Sequence, residues 1–306
     1  LARLFETALE ASPGDVALAT TLARIWRDEL TLLAPEDQQL AAAERAARAD
    51  QIIDRMVAQC SEGVEGLLAR AASRIVHGQA GAESDLRQAL RREPANLQVH
   101  LSLAEHYRRL AVAAQRDGRW GESAERCEQA RQGYEQVIAR GPEQRARRRL
   151  AVLPEELAAH DGLARLEAMR GRLDRAVAVC RDGLGLAPEQ AILLRFLLAE
   201  LLLATGSLDP MAAQLDALDQ QLRQLLPLAS RSPDLQAEHR AMECDAALLR
   251  AKWRLARNEP AKAIGLLETA ALGPDGSPRE IARRLESCRL LGRAYAAQAD
   301  WEMAAK

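Results

Sequence analysis

Aromatic residues make up only 3% of the 306-residue chain, and lysine occurs three times, at Lys252, Lys262 and Lys306. So little Tyr, Phe and Trp, beside apolar residues that are mostly Leu and Ala, removes the usual material of strands and favours helices. The five cysteines, Cys60, Cys127, Cys180, Cys244 and Cys288, are odd in number and hold no C-x-x-C spacing. That excludes a disulfide framework and a zinc knuckle, and fits a reducing, cytoplasmic compartment. No G-x-x-x-x-G-K loop is present to cradle phosphates, and none of His77, His100, His106, His160 and His239 stands in a metal-ligand spacing such as H-E-x-x-H. No catalytic constellation, metal site or cofactor site is expected. A net charge of −2 gives no global attraction for nucleic acid or acidic membranes. The longest apolar run, Ala191 to Gly206, is shorter than the ~20 residues that span a bilayer and is interrupted by Arg195 and Glu200, so membrane insertion is not expected. The excess of arginine over lysine reads as the mark of a GC-rich, bacterial gene.

What is present is ample core material: 48% hydrophobic and 28% charged residues, in a chain about twice the length of a typical domain. That length calls for two domains or one elongated array. A repeat decides for the array. Phe5, Ala8, Leu9 and Pro13 recur as Leu86, Ala89, Leu90 and Pro94, and again as Cys180, Gly183, Leu184 and Pro188. In each set a large, a small and an apolar residue at i, i+3 and i+4 share one helix face, and proline four residues later ends the helix.

A second pattern lies upstream of these endings. Leu163-Ala164, Gly171, Leu173, Ala176 and Cys180 align with Leu198-Ala199, Gly206 and Leu208, and with Leu291-Gly292, Tyr295, Trp301 and Ala304. This sequence of apolar–small pair, aromatic, turn residue, large residue and alanine resembles the tetratricopeptide repeat (TPR), a helix–turn–helix unit of about 34 residues. The resemblance implies an all-α, right-handed α-solenoid of TPR-like repeats. It also implies that Gly292, like Ala104, Ala164 and Ala199, keeps a side chain out of the closest helix crossing, with Ala304 as the matching small site. Cys127 and Cys180 fall at equivalent core-facing positions and read as small hydrophobes. Because Leu1–Ala11 reads as a second helix without its first, and Trp301–Lys306 as the start of a second helix, the chain is expected to be a piece of a longer protein.

The array is irregular, with some helices lengthened. Fourteen steps separate Ala104 from Gly118 where other repeats have seven, which adds close to two helical turns. Trp120, Ser123, Cys127 and Ala130 follow in frame. Helices are predicted at 1–11, 15–33, 36–60, 63–77, 81–93, 96–117, 120–140, 143–152, 154–170, 172–186, 189–205, 208–226, 232–257, 260–272, 278–298 and from 300 onward, with turns at Gly141-Pro142 and across 273–278. The domain reading is an N-terminal sub-array over 1–140, a basic joint or inserted short helix over 141–156, and a C-terminal sub-array over 157–306.

The resemblance further implies that first helices line a concave groove that holds a partner segment. Projection of the matched helices sends Arg24, Arg27, Arg74, Arg108 and Arg109 toward that groove in the first half. In the second half it sends Arg165, Glu200, Lys252, Arg289 and Arg293 there, with Glu105, Asp161 and Asp245 as opposing charges. Phe196, Leu197, Leu203, Leu248 and Leu249 are expected to add apolar surface. Asn96 and Asn258 match no groove position of the carboxylate-clamp TPR subtype, which argues against a chaperone clamp. The expected function is a non-catalytic protein–protein interaction scaffold with a protein or peptide ligand; the alternative is a regulatory or substrate-recruiting arm of a larger enzyme, in contact with its other domains. A third reading, RNA binding, would use the basic patch Arg145, Arg147, Arg148 and Arg149 beside Arg140, which the bland reading makes a solvated helix face.

Overall fold

The computed structural model describes residues 1–60, 63–271, 277–298 and 303–304, and among these there is helix and turn but no strand. The chain divides into two compact units, Leu1–Gln144 and Arg145–Lys306. The first holds α1 (Ala2–Ala11), α2 (Val16–Asp28), the short α3 (Pro35–Gln38), α4 (Ala42–Gln59), α5 (Glu65–Val76), α6 (Ala82–Arg92), α7 (Leu97–Arg116) and most of α8 (Trp120–Arg148). The second holds α9 (Pro154–Met169), α10 (Leu173–Leu186), α11 (Ile192–Ala204), α12 (Leu208–Ala229), α13 (Pro233–Ala256), α14 (Pro260–Ala271) and α15 (Pro278–Ala297).

Local chemistry starts and stops these helices. Asp15 accepts the Leu18 N–H at 2.9 Å, Asn96 the Gln98 N–H at 2.9 Å, and Ser232 the Leu235 N–H at 3.2 Å, each satisfying a donor that the first helical turn leaves unpaired. The turns that close α5, α7, α9, α11 and α13 are alike: Gly78, Gly118, Gly171 and Gly206 have φ of +65°, +75°, +75° and +72°, and Asn258 follows at +58°. Left-handed backbone there reverses the chain at little cost only for glycine or asparagine.

Within each unit consecutive helices pack in pairs, from α4 to α7 in the first and from α9 to α15 in the second, and the first helices also touch one another: α2 with α5 and α5 with α7 in the first unit, α9 with α11, α11 with α13 and α13 with α15 in the second. Among the described residues no comparable contact joins α10 to α12 or α12 to α14. First helices therefore line the inner side of each unit and second helices the outer, as in a TPR-like α-solenoid. The seams are apolar. Leu22, Ile25, Trp26, Ile53 and Met56 form one core, and Cys180, Leu194, Leu198, Met211, Leu215 and Trp253 another. Each such leucine contributes roughly 2 kcal/mol by leaving water.

Several predicted boundaries move. The separate helix over 143–152 does not exist, because α8 runs unbroken through Gly141-Pro142 to Arg148. Proline forfeits one backbone hydrogen bond there, but the helix beyond it is held by ion pairs from Arg145 to Glu156 (3.2 Å) and Arg148 to Glu155 (3.0 Å). It stops instead at Arg149, whose φ is +54°. The long pair over 15–33 and 36–60 is also broken. A 3-10 turn at Leu30–Leu32 follows α2, and α4 starts afresh where the Glu44 carboxylate accepts the Ala41 N–H at 3.2 Å. Conversely α12 passes its predicted end at 226, through Pro227, to Ala229. Ser123, Cys127 and Ala130 face the core as the repeat frame requires, but Trp120 is 65% exposed. The turn over 273–276 and most of the helix from 300 onward, including Trp301, lie outside the described residues.

Candidate partner-binding surface

Gly133 and Gly183 set how closely helices pair beneath the inner faces. A Cβ on Gly133 of α8 would stand 2.8 Å from the Ala104 methyl of α7, and one on Gly183 of α10 would meet His160 of α9 at 2.8 Å and Leu194 of α11 at 2.7 Å. Gly292 is also close-packed, its missing Cβ falling 3.3 Å from the Ala304 carbonyl oxygen. Gly183 is the small member of the repeat set Cys180, Gly183, Leu184 and Pro188, whereas Gly133 lies three residues beyond Ala130, the small position of that frame in the lengthened α8.

In the first unit, the arginines expected in the groove differ in what they do. Arg27 of α2 is mostly buried and ion-paired with Asp50 of α4, and Arg74 of α5 reaches Asp85 of α6 at 2.7 Å. Asp85, almost wholly buried, is gripped a second time by Arg70 through two hydrogen bonds of 2.7 and 3.0 Å. These guanidiniums tie first helices to second ones. Arg24 is exposed and pairs with Glu29; Arg108 pairs with Glu105 at 2.8 Å, and Glu105 also receives the buried Tyr134 hydroxyl at 2.6 Å. Burial and the neighbouring carboxylate hold the Tyr134 phenol far above its ordinary range, so it remains a donor. Arg109 is exposed, with no hydrogen bond or ion pair among the described residues. Between α2 and α5 lies a cavity of about 290 Å³ lined by Ala23, Arg24, Arg27, Val76 and His77.

The second unit brings several of the expected residues into one network of charges. Arg165 pairs with Asp161 along α9 at 2.7 Å, Lys252 of α13 with Glu286 of α15 at 3.3 Å, and Glu286 with Arg289 at 2.7 Å. Arg289 and then Lys252 hold the Glu286 carboxyl down at about 2. Asp245 is taken by Arg279 and Arg283. Glu200 of α11 lies between these rows. Its residue is exposed, yet crowding by the flanking helices raises its carboxyl above the usual range, an effect that Arg165 and Lys252 oppose. Arg293 is exposed on α15.

The apolar part of the expectation needs correction. Leu197 and Leu249 are core residues, 5% and 4% exposed, because each is rotated about 100° from its inner-facing neighbour. Leu203 and Leu248 are half-buried, as is Phe196. The exposed apolar residue on α11 is Leu193, at 61%. Its i, i+3, i+7 spacing with Phe196 and Glu200 is the signal that identifies it.

The basic patch is partly consumed by the fold: Arg145 and Arg148 are paired as described, and Arg147 and Arg149 remain exposed. Arg140, in the first unit, hydrogen-bonds the Pro94 carbonyl and His100. Cys127 and Cys180 are buried, and desolvation pushes the Cys180 thiol up to about 12, the behaviour of a packing residue. Asn96 is a helix cap and Asn258 a turn residue. Among the described residues no group of three or more His, Cys, Asp or Glu could hold a metal ion, and no helix is long and apolar enough to cross a membrane.

No family model matches the chain, and no curated protein matches it in sequence. Solved structures do match. A tetratricopeptide repeat protein from Parabacteroides merdae has a TM-score of 0.51 at 16% identity, over 94% of this chain and 90% of that one. Yeast Tom70 has a TM-score of 0.48 at 16% identity, over 98% of this chain and 58% of that one. A thermophilic TPR protein of Thermus thermophilus has a TM-score of 0.45 at 23% identity, over 66% of this chain and 92% of that one. With identities this low the likeness is one of fold, carried by the first, and it agrees with the helix pairing described above: the fold is TPR-like.

Proposed function

We propose that this chain is a non-catalytic interaction scaffold whose inner helices hold a segment of a partner protein. The observation that supports the reading is the side-by-side contact of first helices within each unit. Stacked helical hairpins trade a compact pocket for a long surface. On it stand Arg24, Arg108 and Arg109 in the first unit, and Arg165, Phe196, Glu200, Lys252, Arg289 and Arg293 in the second; Arg27 and Arg74 support it from behind. Selection of a random peptide library against the purified chain tests the reading. Selected peptides are expected to lose affinity for Arg109→Glu or Arg293→Glu, on inner faces, and to keep it for Arg181→Glu, on the outer helix α10. Equal binding to all three variants would refute it.

A further inference from the structure

The charges on the inner face of the second unit are not all alike. Asp161 is neutralised by Arg165, Asp245 by Arg279 and Arg283, and Glu286 by Lys252 and Arg289. Glu200 stands apart: its carboxylate has no hydrogen bond or ion pair among the described residues, and Arg165 and Lys252 reach it only through longer-range attraction. It is also flanked by apolar side chains of its own helix. Leu193, Phe196, Glu200 and Leu203 fall at i, i+3, i+7 and i+10, within an arc of about 80° on a helix with about 100° per residue, and all four are at least partly accessible.

We propose that this strip of α11 receives a basic side chain, Lys or Arg, of the partner segment, its cation paired with Glu200 while a neighbouring apolar residue of the segment packs on Leu193 and Phe196. The assignment rests on the interaction-scaffold reading above and adds the chemistry of the ligand. Charge complementarity selects the occupant. A carboxylate on the ligand would meet Glu200 with Asp161 and Asp245 nearby, whereas a guanidinium or ammonium supplies the donors that Glu200 lacks. An unpaired carboxylate in a partly desolvated channel gains more from such a donor than one in open water, because the local dielectric is lower. The flanking Leu193 and Phe196 bring apolar area that a purely ionic ligand would leave exposed.

The test is selection of a random peptide library against wild type, Glu200→Gln and Glu200→Lys, each first checked for native helicity and thermal unfolding. Wild type is expected to enrich Lys or Arg next to an apolar residue. Those peptides should bind Glu200→Gln about tenfold more weakly, the loss of one charged hydrogen bond, and Glu200→Lys should enrich Asp or Glu at the same position. Peptides that bind the inner face without a basic preference, or that bind Glu200→Gln as tightly as wild type, overturn the assignment and leave the scaffold reading intact. If every selected peptide is insensitive to inner-face substitution, both fall.

Discussion

Gly133 of α8 lies against Ala104 of α7 so closely that a methyl group on the glycine would stand 2.8 Å from the alanine methyl and 3.3 Å from the His100 carbonyl oxygen. Neither neighbour can swing aside, since one is a Cβ and the other backbone. Alanine in a helix is intrinsically favoured over glycine by about 1 kcal/mol, but overpacking a rigid contact costs about 1–3 kcal/mol, so the steric penalty wins. Gly133→Ala is expected to lower the denaturant midpoint of the first unit. Gly121→Ala, on the same helix with open space around it, should leave the midpoint unchanged or raise it.

The pair Gly183 and Gly185 makes the same comparison within two residues of α10. A Cβ added at Gly183 would meet His160 and Leu194 at under 3 Å, while one at Gly185 would meet nothing within 4 Å. Gly183→Ala should destabilise the second unit by about 1–3 kcal/mol and Gly185→Ala stabilise it by up to about 1 kcal/mol, read by urea unfolding.

Asp85 is the deepest charge of the first unit, held by both Arg70 and Arg74. Removing it leaves two guanidiniums that are largely out of water with only the exposed Asp54 as a partner. Asp85→Ala is expected to cost about 3 kcal/mol, whereas Asp54→Ala, whose side chain is mostly exposed and pairs with the same arginines, should cost under about 1 kcal/mol. Equal losses in thermal unfolding would contradict the burial argument.

Stability of the second unit should fall in acid. Glu286 has a folded pKa of about 2 against 4.5 when unperturbed, so the native state holds the charged form and binds fewer protons than the unfolded state. Its contribution is therefore fully present above about 4.5 and is lost as pH drops through 2. Glu286→Gln is expected to flatten that limb of the stability profile, measured by unfolding at a series of pH values.

Thiol reactivity should separate the cysteines. Cys288 is exposed on α15, while Cys127 and Cys180 are buried and Cys180 is held protonated near neutral pH. A maleimide is expected to label Cys288 in the native protein and Cys127 and Cys180 only after denaturation, as read by mass spectrometry of peptides.

Much of the fold was legible because its signals are local. Pro13, Pro94 and Pro188 punctuate helix ends, Gly171 and Gly206 take the left-handed backbone that their turns need, and Ala164 and Ala199 are wholly buried where the repeat frame expects small residues. The misreadings came where a local signal was outweighed from elsewhere. Gly141-Pro142 reads as a stop, yet pairing of Arg145 and Arg148 with the start of α9 carries the helix past it. Leu197 and Leu249 read as surface because one residue of helical phase exchanges inner face for core.

The sequence by itself determined an all-helical chain of stacked hairpins, since side-chain periodicity, capping and turn chemistry act over a few residues and repeat along the chain. Only the tertiary structure decided which charges remain available to a partner. Arg27 and Arg74 find Asp50 and Asp85 across turns of the chain, while Arg109 and Glu200 find no such partner among the described residues. Ion pairing depends on distance in space, and helix packing sets that distance for residues far apart in sequence.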